Sequence, residues 1–292
     1  MTAGDHRRTP AMGPGPEPTI AAAAWAARVR ANREQVERLR EMEDQDFYGP
    51  ISSMFIADPR RLDDPSLDRL LALARPSDRW LDIGAGAGRF ALPLALHVRS
   101  VVALDPSEGM LAALREQMDE HGIHNIELVH GRWPLEAEPD GGPLEADVAL
   151  IAHLGYDVEE IGAFLDAMES AAGRLCVAVL SERVPAWLAE PFWPAIHGEE
   201  RVALPALPEF LELLAARGRS CELWTESRPS RAFHTRGDVT RWLRKQLWLE
   251  PGGEKDRRLD GLLDDRLVPV EDGVRLVHQR DLEVGVVAWA PG

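Results

Sequence analysis

Cysteine is scarce in this chain. Its two residues, Cys176 and Cys221, lie far apart, and their spacing fits neither a zinc pattern nor a redox pair. A disulfide scaffold is excluded, and both are expected to be buried thiols in a reducing cytoplasm. Long apolar runs are missing as well. No stretch approaches the roughly 20 residues that cross a bilayer, and the first residues have no apolar signal-peptide core. No membrane partner is therefore expected, and the expected compartment is the cytoplasm. Positive charge is in deficit too: 33 Lys and Arg stand against 49 Asp and Glu, a net charge of −16. Such a surface repels phosphate backbones, so DNA is excluded as a partner and RNA fits less well than a small molecule. No set of metal ligands stands out. The run Leu262-Leu263-Asp264-Asp265 has no partner ligands in reach, so no metal is expected.

What the chain does have is a hydrophobic content of 45% over 292 residues, ample for a packed core. Residues 1–18 are rich in Pro and Gly with little to bury, and are expected to be a disordered tail. Residues 19–75 read as an N-terminal helical cap. Its long helix to about Asp44 carries Trp25, Val29, Val36, Leu39 and Met42 on one face. A shorter helix follows, started by Asp64 as N-cap and Pro65 in the first turn. From residue 76 to 292 strands and helices alternate: strands at Trp80–Ile83, Ser100–Leu104, Ile126–Val129, Asp147–Ala152, Leu175–Leu180, Cys221–Trp224 and Leu282–Trp289. The pattern predicts an α/β fold with a mostly parallel sheet and helices on both faces. Two long connections interrupt it, an aromatic and proline-bearing loop at 185–208 and a helical insertion at 237–266 before the last strand. Connections of that length are commonly binding loops or lids.

The first strand runs into Asp82-Ile83-Gly84-Ala85-Gly86-Ala87-Gly88. Gly84 and Gly86 allow a sharp turn and close approach to a ligand, and Gly88 allows close packing of the helix behind. That helix N-terminus offers free N–H groups to an anionic or polar ligand group. Asp105, closing the second strand, is placed to accept hydrogen bonds from both hydroxyls of a ribose. Together, Trp80 through Phe90, Leu104-Asp105-Pro106-Ser107 and Met110-Leu111 resemble the first two motifs of class I S-adenosylmethionine-dependent methyltransferases. A nicotinamide enzyme is the competing reading of an acidic residue there. The loop opposes it, being Gly-x-Gly-x-Gly with Arg89 in the last position of the dinucleotide fingerprint.

The resemblance implies a seven-stranded Rossmann-like sheet with its last strand antiparallel and S-adenosyl-L-methionine as cofactor across the strands' carboxyl ends. By position, Asp82, Gly84, Ala85, Gly86 and Gly88 form the loop beside the methionine moiety, Asp105 holds the ribose, and Pro106, Ser107 and Met110 border the adenine. After the third strand the chain departs from the family pattern. Gly131-Arg132-Trp133 stands where many members have an Asp after a Gly, leaving Trp133 as an apolar wall and backbone groups for polar recognition. His153, ending the fourth strand, is expected to border the cofactor.

Methyl transfer is an in-line displacement at an activated sulfonium, so the protein need only align the acceptor and, for some acceptors, remove a proton. His153 is a candidate base and Tyr156 a candidate orienting group; each has the alternative of packing alone. Tyr48, Tyr156, Trp193 and His197 are candidate substrate contacts. The segment 241–248 is basic and aromatic but reads as an amphipathic helix rather than an RNA site. The expected function is O- or N-methylation of a small molecule. RNA or protein methylation and non-catalytic S-adenosylmethionine binding are the alternatives.

Overall fold

The computed structural model describes residues 6–8, 17–42, 56–135, 143–230 and 232–292. Strand β1 (His6–Arg8) is followed by helices α1 (Pro18–Leu39) and α2 (Pro65–Leu73). Asp64 caps α2, its side chain accepting the Leu67 N–H, with Pro65 in the first turn. An alternating series comes next: β2 (Arg79–Ile83), α3 (Ala91–Ala95), β3 (Ser100–Asp105), α4 (Glu108–His121), β4 (Ile126–His130), β5 (Ala146–Ala152), α5 (Ile161–Ala171) and β6 (Ala172–Ser181). After β6 the chain forms a 3₁₀ segment (Pro185–Phe192), α6 (Trp193–His197), α7 (Leu207–Ala216) and β7 (Cys221–Arg228). Helices α8 (Arg236–Gln246) and α9 (Glu254–Leu263), a hairpin of β8 (Leu267–Val270) and β9 (Gly273–Leu276), and β10 (Leu282–Trp289) complete it.

The sheet order is β1-β7-β10-β6-β5-β2-β3-β4. Strands β2 to β6 are mutually parallel, and β10 lies antiparallel between β6 and β7. The expected seven-stranded sheet is present with one addition. His6–Arg8, expected within a disordered tail, pairs antiparallel with Glu222–Trp224 of β7. An edge strand presents unpaired N–H and C=O groups, and a three-residue segment can satisfy them without a core of its own.

Apolar residues cover both faces. Trp25 and Val29 of α1, Phe164 and Leu165 of α5, and Phe210 of α7 pack on one side; Leu67 and Leu70 of α2, Leu92 and Leu94 of α3, and Leu114 of α4 pack on the other. A third core stands apart from the sheet and joins the two long connections into one unit. Phe192, Trp193 and Ile196 meet Val239 and Leu243 of α8, Leu247 just after it, Leu259 and Leu263 of α9, and Leu276 of β9. Val36 and Leu39 of α1 pack against this unit, whereas Met42 is exposed. Two polar residues of α1 are buried as well. Asn32 donates to the Val202 carbonyl, and the Gln35 side-chain amide donates to the Glu200 carbonyl while accepting the Val202 N–H. A helix side chain thus serves the backbone of an irregular loop that has no strand partner. Both inserted connections leave the sheet at the carboxyl ends of β6 and β7, and the second returns at the start of β10. That end is shared with the glycine loop.

Candidate cofactor and active site

The glycine loop begins where β2 ends, and all three glycines are left-handed, with φ of 74° at Gly84, 56° at Gly86 and 87° at Gly88. The Gly84 and Ala85 N–H groups both donate to the Leu104 carbonyl at 2.7 and 3.0 Å, tying the loop to the end of β3. Asp105 completes the tie. One carboxylate oxygen accepts the Gly86 N–H at 2.8 Å and the other accepts the Ser107 N–H at 2.9 Å. The side chain that ends β3 thereby spaces the glycine loop from the start of α4, where the Ser107 hydroxyl accepts the Met110 N–H. Met110 is buried with Ala87 and Ala113 beneath that junction.

Asp82 lies under the loop, almost wholly buried. Its carboxyl is pushed up to about 7, first by burial and then by the Asp105 charge, against the opposing Ala91 N–H. The folded chain therefore keeps this proton to a higher pH than the unfolded chain, where a carboxyl ionises near its ordinary value. Stability should fall as pH rises from about 4 to about 7 and change little from this group outside that window. Asp82→Asn is expected to remove that slope. Thermal melts at pH 5 and pH 8 should show the variant gaining on the wild type at the higher pH by about 2–3 kcal/mol. Parallel pH curves for the two proteins would contradict the assignment.

Past β4, the Gly131 N–H donates to the Asp105 carbonyl at 3.1 Å. His130 and Arg132 are exposed, and a ring nitrogen of His130 lies 3.0 Å from the Pro106 carbonyl. Trp133 is half-buried on α5, its indole N–H donating to the Phe164 carbonyl at 3.3 Å. Its polar atom is spent on the fold, which leaves the ring as an apolar surface.

The two candidate catalytic residues are held otherwise than a base and an orienting hydroxyl require. His153 is left-handed, with φ 55°, and its N–H donates to the Val179 carbonyl. The Arg228 guanidinium lies 3.4 Å from its Nε2, which makes that nitrogen the acceptor. Burial first, then the charges of Arg228 and Arg89, push its pKa down to about 3. An imidazole so placed is neutral at ordinary pH and too weak to take the acceptor's proton. Tyr156 is buried, and its hydroxyl accepts the Ser181 N–H at 2.9 Å. It braces the turn after β5 against the end of β6 instead of facing an acceptor.

Trp193 and His197 likewise belong to the third core rather than to an acceptor pocket. Trp193 is fully buried, with its ring centroid 4.4 Å from that of His197 and the Arg201 guanidinium 4.8 Å from its own centre. One His197 ring nitrogen lies 3.0 Å from the Leu247 carbonyl and the other 3.3 Å from the Lys255 ammonium. A five-residue helix ending at Gly198 turns both side chains toward α8 and α9. Tyr48 lies outside the described residues. Among the described residues, no cluster of His, Cys, Asp and Glu forms a metal site, and no helix is long and apolar enough to cross a membrane.

The structure also assembles residues that the sequence left unconnected. Asp64, while capping α2, accepts Arg61 at 2.9 Å and Arg89 at 2.8 Å. Burial opposes its ionisation, but the two guanidiniums outweigh it and hold the carboxyl below its ordinary value. Arg228, from the end of β7, adds a third guanidinium beside them. The position of Arg89 in the glycine loop was a legible signal; nothing local marks Arg61 or Arg228.

Comparison with known proteins agrees with this arrangement. Residues 81–171 match a family described as "Methyltransferase domain". An uncharacterized protein of Haemophilus influenzae is 31% identical over 144 residues, which cover 49% of this chain and 51% of that one. The 23S rRNA (uracil(1939)-C(5))-methyltransferase RlmD of Xanthomonas campestris is 42% identical over 55 residues, 19% of this chain and 12% of the relative. The chain thus spans about half the length of the first of these relatives and a small part of the second. Among solved structures, the S-adenosylmethionine-dependent methyltransferase of Geobacter sulfurreducens, in complex with S-adenosyl-L-homocysteine, superposes with a TM-score of 0.52 at 17% identity, covering 86% of this chain and 100% of that one. Residues 81–171 thus match a methyltransferase-domain family, and the chain has a Rossmann-like fold that it shares with solved S-adenosylmethionine-dependent methyltransferases.

Proposed function

We propose that this chain transfers the methyl group of S-adenosylmethionine to an oxygen or nitrogen of a small molecule. The observation that carries the reading is the Asp105 carboxylate, which joins Gly86 to Ser107 and so builds the ribose position between the glycine loop and the start of α4. A carboxylate oxygen accepts more than one hydrogen bond, so the same group can serve both the loop and a ribose. Gly84, Ala85, Gly86 and Gly88 would line the methionine part, with Asp82 beneath. Pro106, Ser107, Met110 and the Gly131-Arg132-Trp133 turn would border the adenine. The bound cofactor supplies an already activated methyl; this chain's residues align an acceptor and exclude water. Since neither His153 nor Tyr156 is set up to remove a proton, the reading favours an acceptor that ionises by itself or loses its proton to solvent.

The net charge of −16 supports a small acceptor. The likeness to RlmD favours RNA as the second reading, and retention of bulk RNA by the protein in a filter assay at physiological salt would establish it. In domain terms, residues 76–292 act as the methyltransferase domain. The unit built from 185–208 and 237–266, with Val36 and Leu39 of α1 packed on it, covers the acceptor side, a placement supported by where those connections leave the sheet.

Calorimetry with S-adenosylhomocysteine, NAD and NADP tests the cofactor. Binding of NAD with none of S-adenosylhomocysteine would end the reading. Asp105→Ala is expected to weaken S-adenosylhomocysteine by about 1–3 kcal/mol. It should also lower the melting temperature, because the Gly86 and Ser107 N–H groups lose their shared acceptor. Asp105→Asn, which keeps one carbonyl oxygen, should fall between. Turnover to S-adenosylhomocysteine in the presence of a cell extract separates an enzyme from a binding protein.

A further inference from the structure

The corner where Arg61, Arg89 and Arg228 converge carries more positive charge than its surroundings neutralise. Asp64 is the carboxylate in ion-pair reach, and it is shared between Arg61 and Arg89. Arg228 has no described carboxylate in ion-pair reach; its polar side-chain contact is the neutral His153 ring. Glu226, two residues from Arg228 on the β7 face, feels the Arg228 charge and also accepts the Ser66 hydroxyl at 2.6 Å, which leaves two carboxylates, Asp64 and Glu226, facing three guanidiniums. Arg61 Nη2 and Arg89 Nε are buried with no hydrogen-bond partner among the described residues. A buried unpaired donor costs about 1–3 kcal/mol, and mutually repelling guanidiniums add to that cost.

An oxyanion removes both penalties, because guanidinium forks match carboxylate and phosphate oxygens. The corner is partly accessible: the Arg89 side chain is 32% exposed, and Arg228 is intermediate in burial. Arg228 rises from β7, on the opposite side of β5 from β3. The strand that carries Asp105 therefore lies at the other half of the sheet. A cofactor lying over β3 and β2 leaves the β5-to-β7 side for the second substrate.

We propose that Arg228, with Arg89 and Arg61, binds an oxyanion, a carboxylate or a phosphate, carried by the methyl acceptor. The acceptor is then an acidic small molecule, drawn by this corner into a protein that is otherwise strongly negative. His153 is a positioning residue: its Nε2 fixes the Arg228 guanidinium over the site. The inference rests on the methyltransferase reading for the word acceptor, and on the arginine geometry alone for the anion.

The test uses the full chain saturated with S-adenosylhomocysteine, titrated with inorganic phosphate and separately with benzoate at constant ionic strength. Binding is followed by calorimetry and by the shift in melting temperature. Wild type is expected to bind one or both anions. Arg228→Gln should weaken them about tenfold or more, the scale of a lost hydrogen bond to a charged group. Arg228→Lys should retain part of the affinity, and circular dichroism should show both variants folded. Equal anion affinity in wild type and Arg228→Gln, or no anion binding by wild type, overturns the proposal. The source of the anion is separated by 5′-methylthioadenosine, which lacks the amino-acid carboxylate. If Arg228→Gln weakens S-adenosylhomocysteine tenfold and leaves 5′-methylthioadenosine unchanged, the corner serves the cofactor and the acceptor assignment is overturned. A wild-type chain that binds phosphate but not S-adenosylhomocysteine overturns the methyltransferase reading, and with it the acceptor, while the Arg228 arm still supports an anion site.

Discussion

Trp193→Ala is expected to destabilise the unit formed by α6, α8, α9 and the β8–β9 hairpin by about 3–5 kcal/mol, the scale for truncating a fully buried aromatic. Trp193 has no exposed surface and packs with Phe192, Ile196 and the leucines of α8 and α9. Truncation leaves a cavity between elements that are not continuous in sequence, and these helices cannot collapse into it without losing their other contacts. Because this unit has its own core, apart from the sheet, its amides should exchange faster than those of β2 to β6, as expected for a subglobal opening.

The indole N–H of Trp193 is buried without a partner among the described residues. Trp193→Phe removes that unmet donor together with part of the ring, so its cost should be well below that of Ala, on the order of 1 kcal/mol. Melting and hydrogen exchange on the two variants check both statements. A substrate contact would behave differently, with stability unchanged and KM raised; that result would return Trp193 to the acceptor site.

Gly88→Val has the second large effect, about 2–5 kcal/mol, from two sources that act at one atom. A Cβ at Gly88 sits 2.9 Å from Leu92 Cγ and closer still to Leu114 Cδ1, at a φ of +87°. Left-handed strain costs about 1–3 kcal/mol for a side chain, and overpacking against α3 and α4 adds a similar amount. Gly122 supplies the comparison. It ends α4 at φ +65° with nothing within 4 Å of its would-be Cβ, so Gly122→Ala should cost about 1 kcal/mol from strain alone. Chemical denaturation of both variants isolates the packing component. Gly88→Val should also lose affinity for S-adenosylhomocysteine, because relieving the clash moves α3 or α4 and with them the loop. Equal destabilisation at the two glycines would show that strain alone operates at Gly88.

The strand and helix series from residue 80 to 180 was legible because each element carries its own signal: apolar runs for buried parallel strands, Asp64-Pro65 and Ser107 as helix starts, and glycines at a turn that must be left-handed. The nearness of Asp105 to the glycine loop was legible for the same reason, as parallel neighbouring strands end at one level; that its carboxylate accepts the Gly86 and Ser107 N–H groups was not. The helical insertion was visible by its periodicity. Its merger with 185–208 into one core was not, since periodicity names the apolar face of a helix and never its partner.

Spacing along the chain decided the Rossmann-like sheet, the glycine loop and the placing of Asp105 beside it, because these follow from backbone pairing and from neighbouring strands ending at one level. Tertiary structure alone decided what the side chains do. Arg228 and His153 meet across 75 residues of sequence, Asn32 and Gln35 turn inward to serve a loop some 170 and 167 residues away, and Trp193 and His197 turn away from the sheet's ligand end into a core of their own. Each outcome depends on which surface a side chain faces after distant elements have packed, and burial and charge acquired there set its chemistry. That is why His153, in sequence either a candidate base or a packing residue, stands in the fold as a neutral support for an arginine.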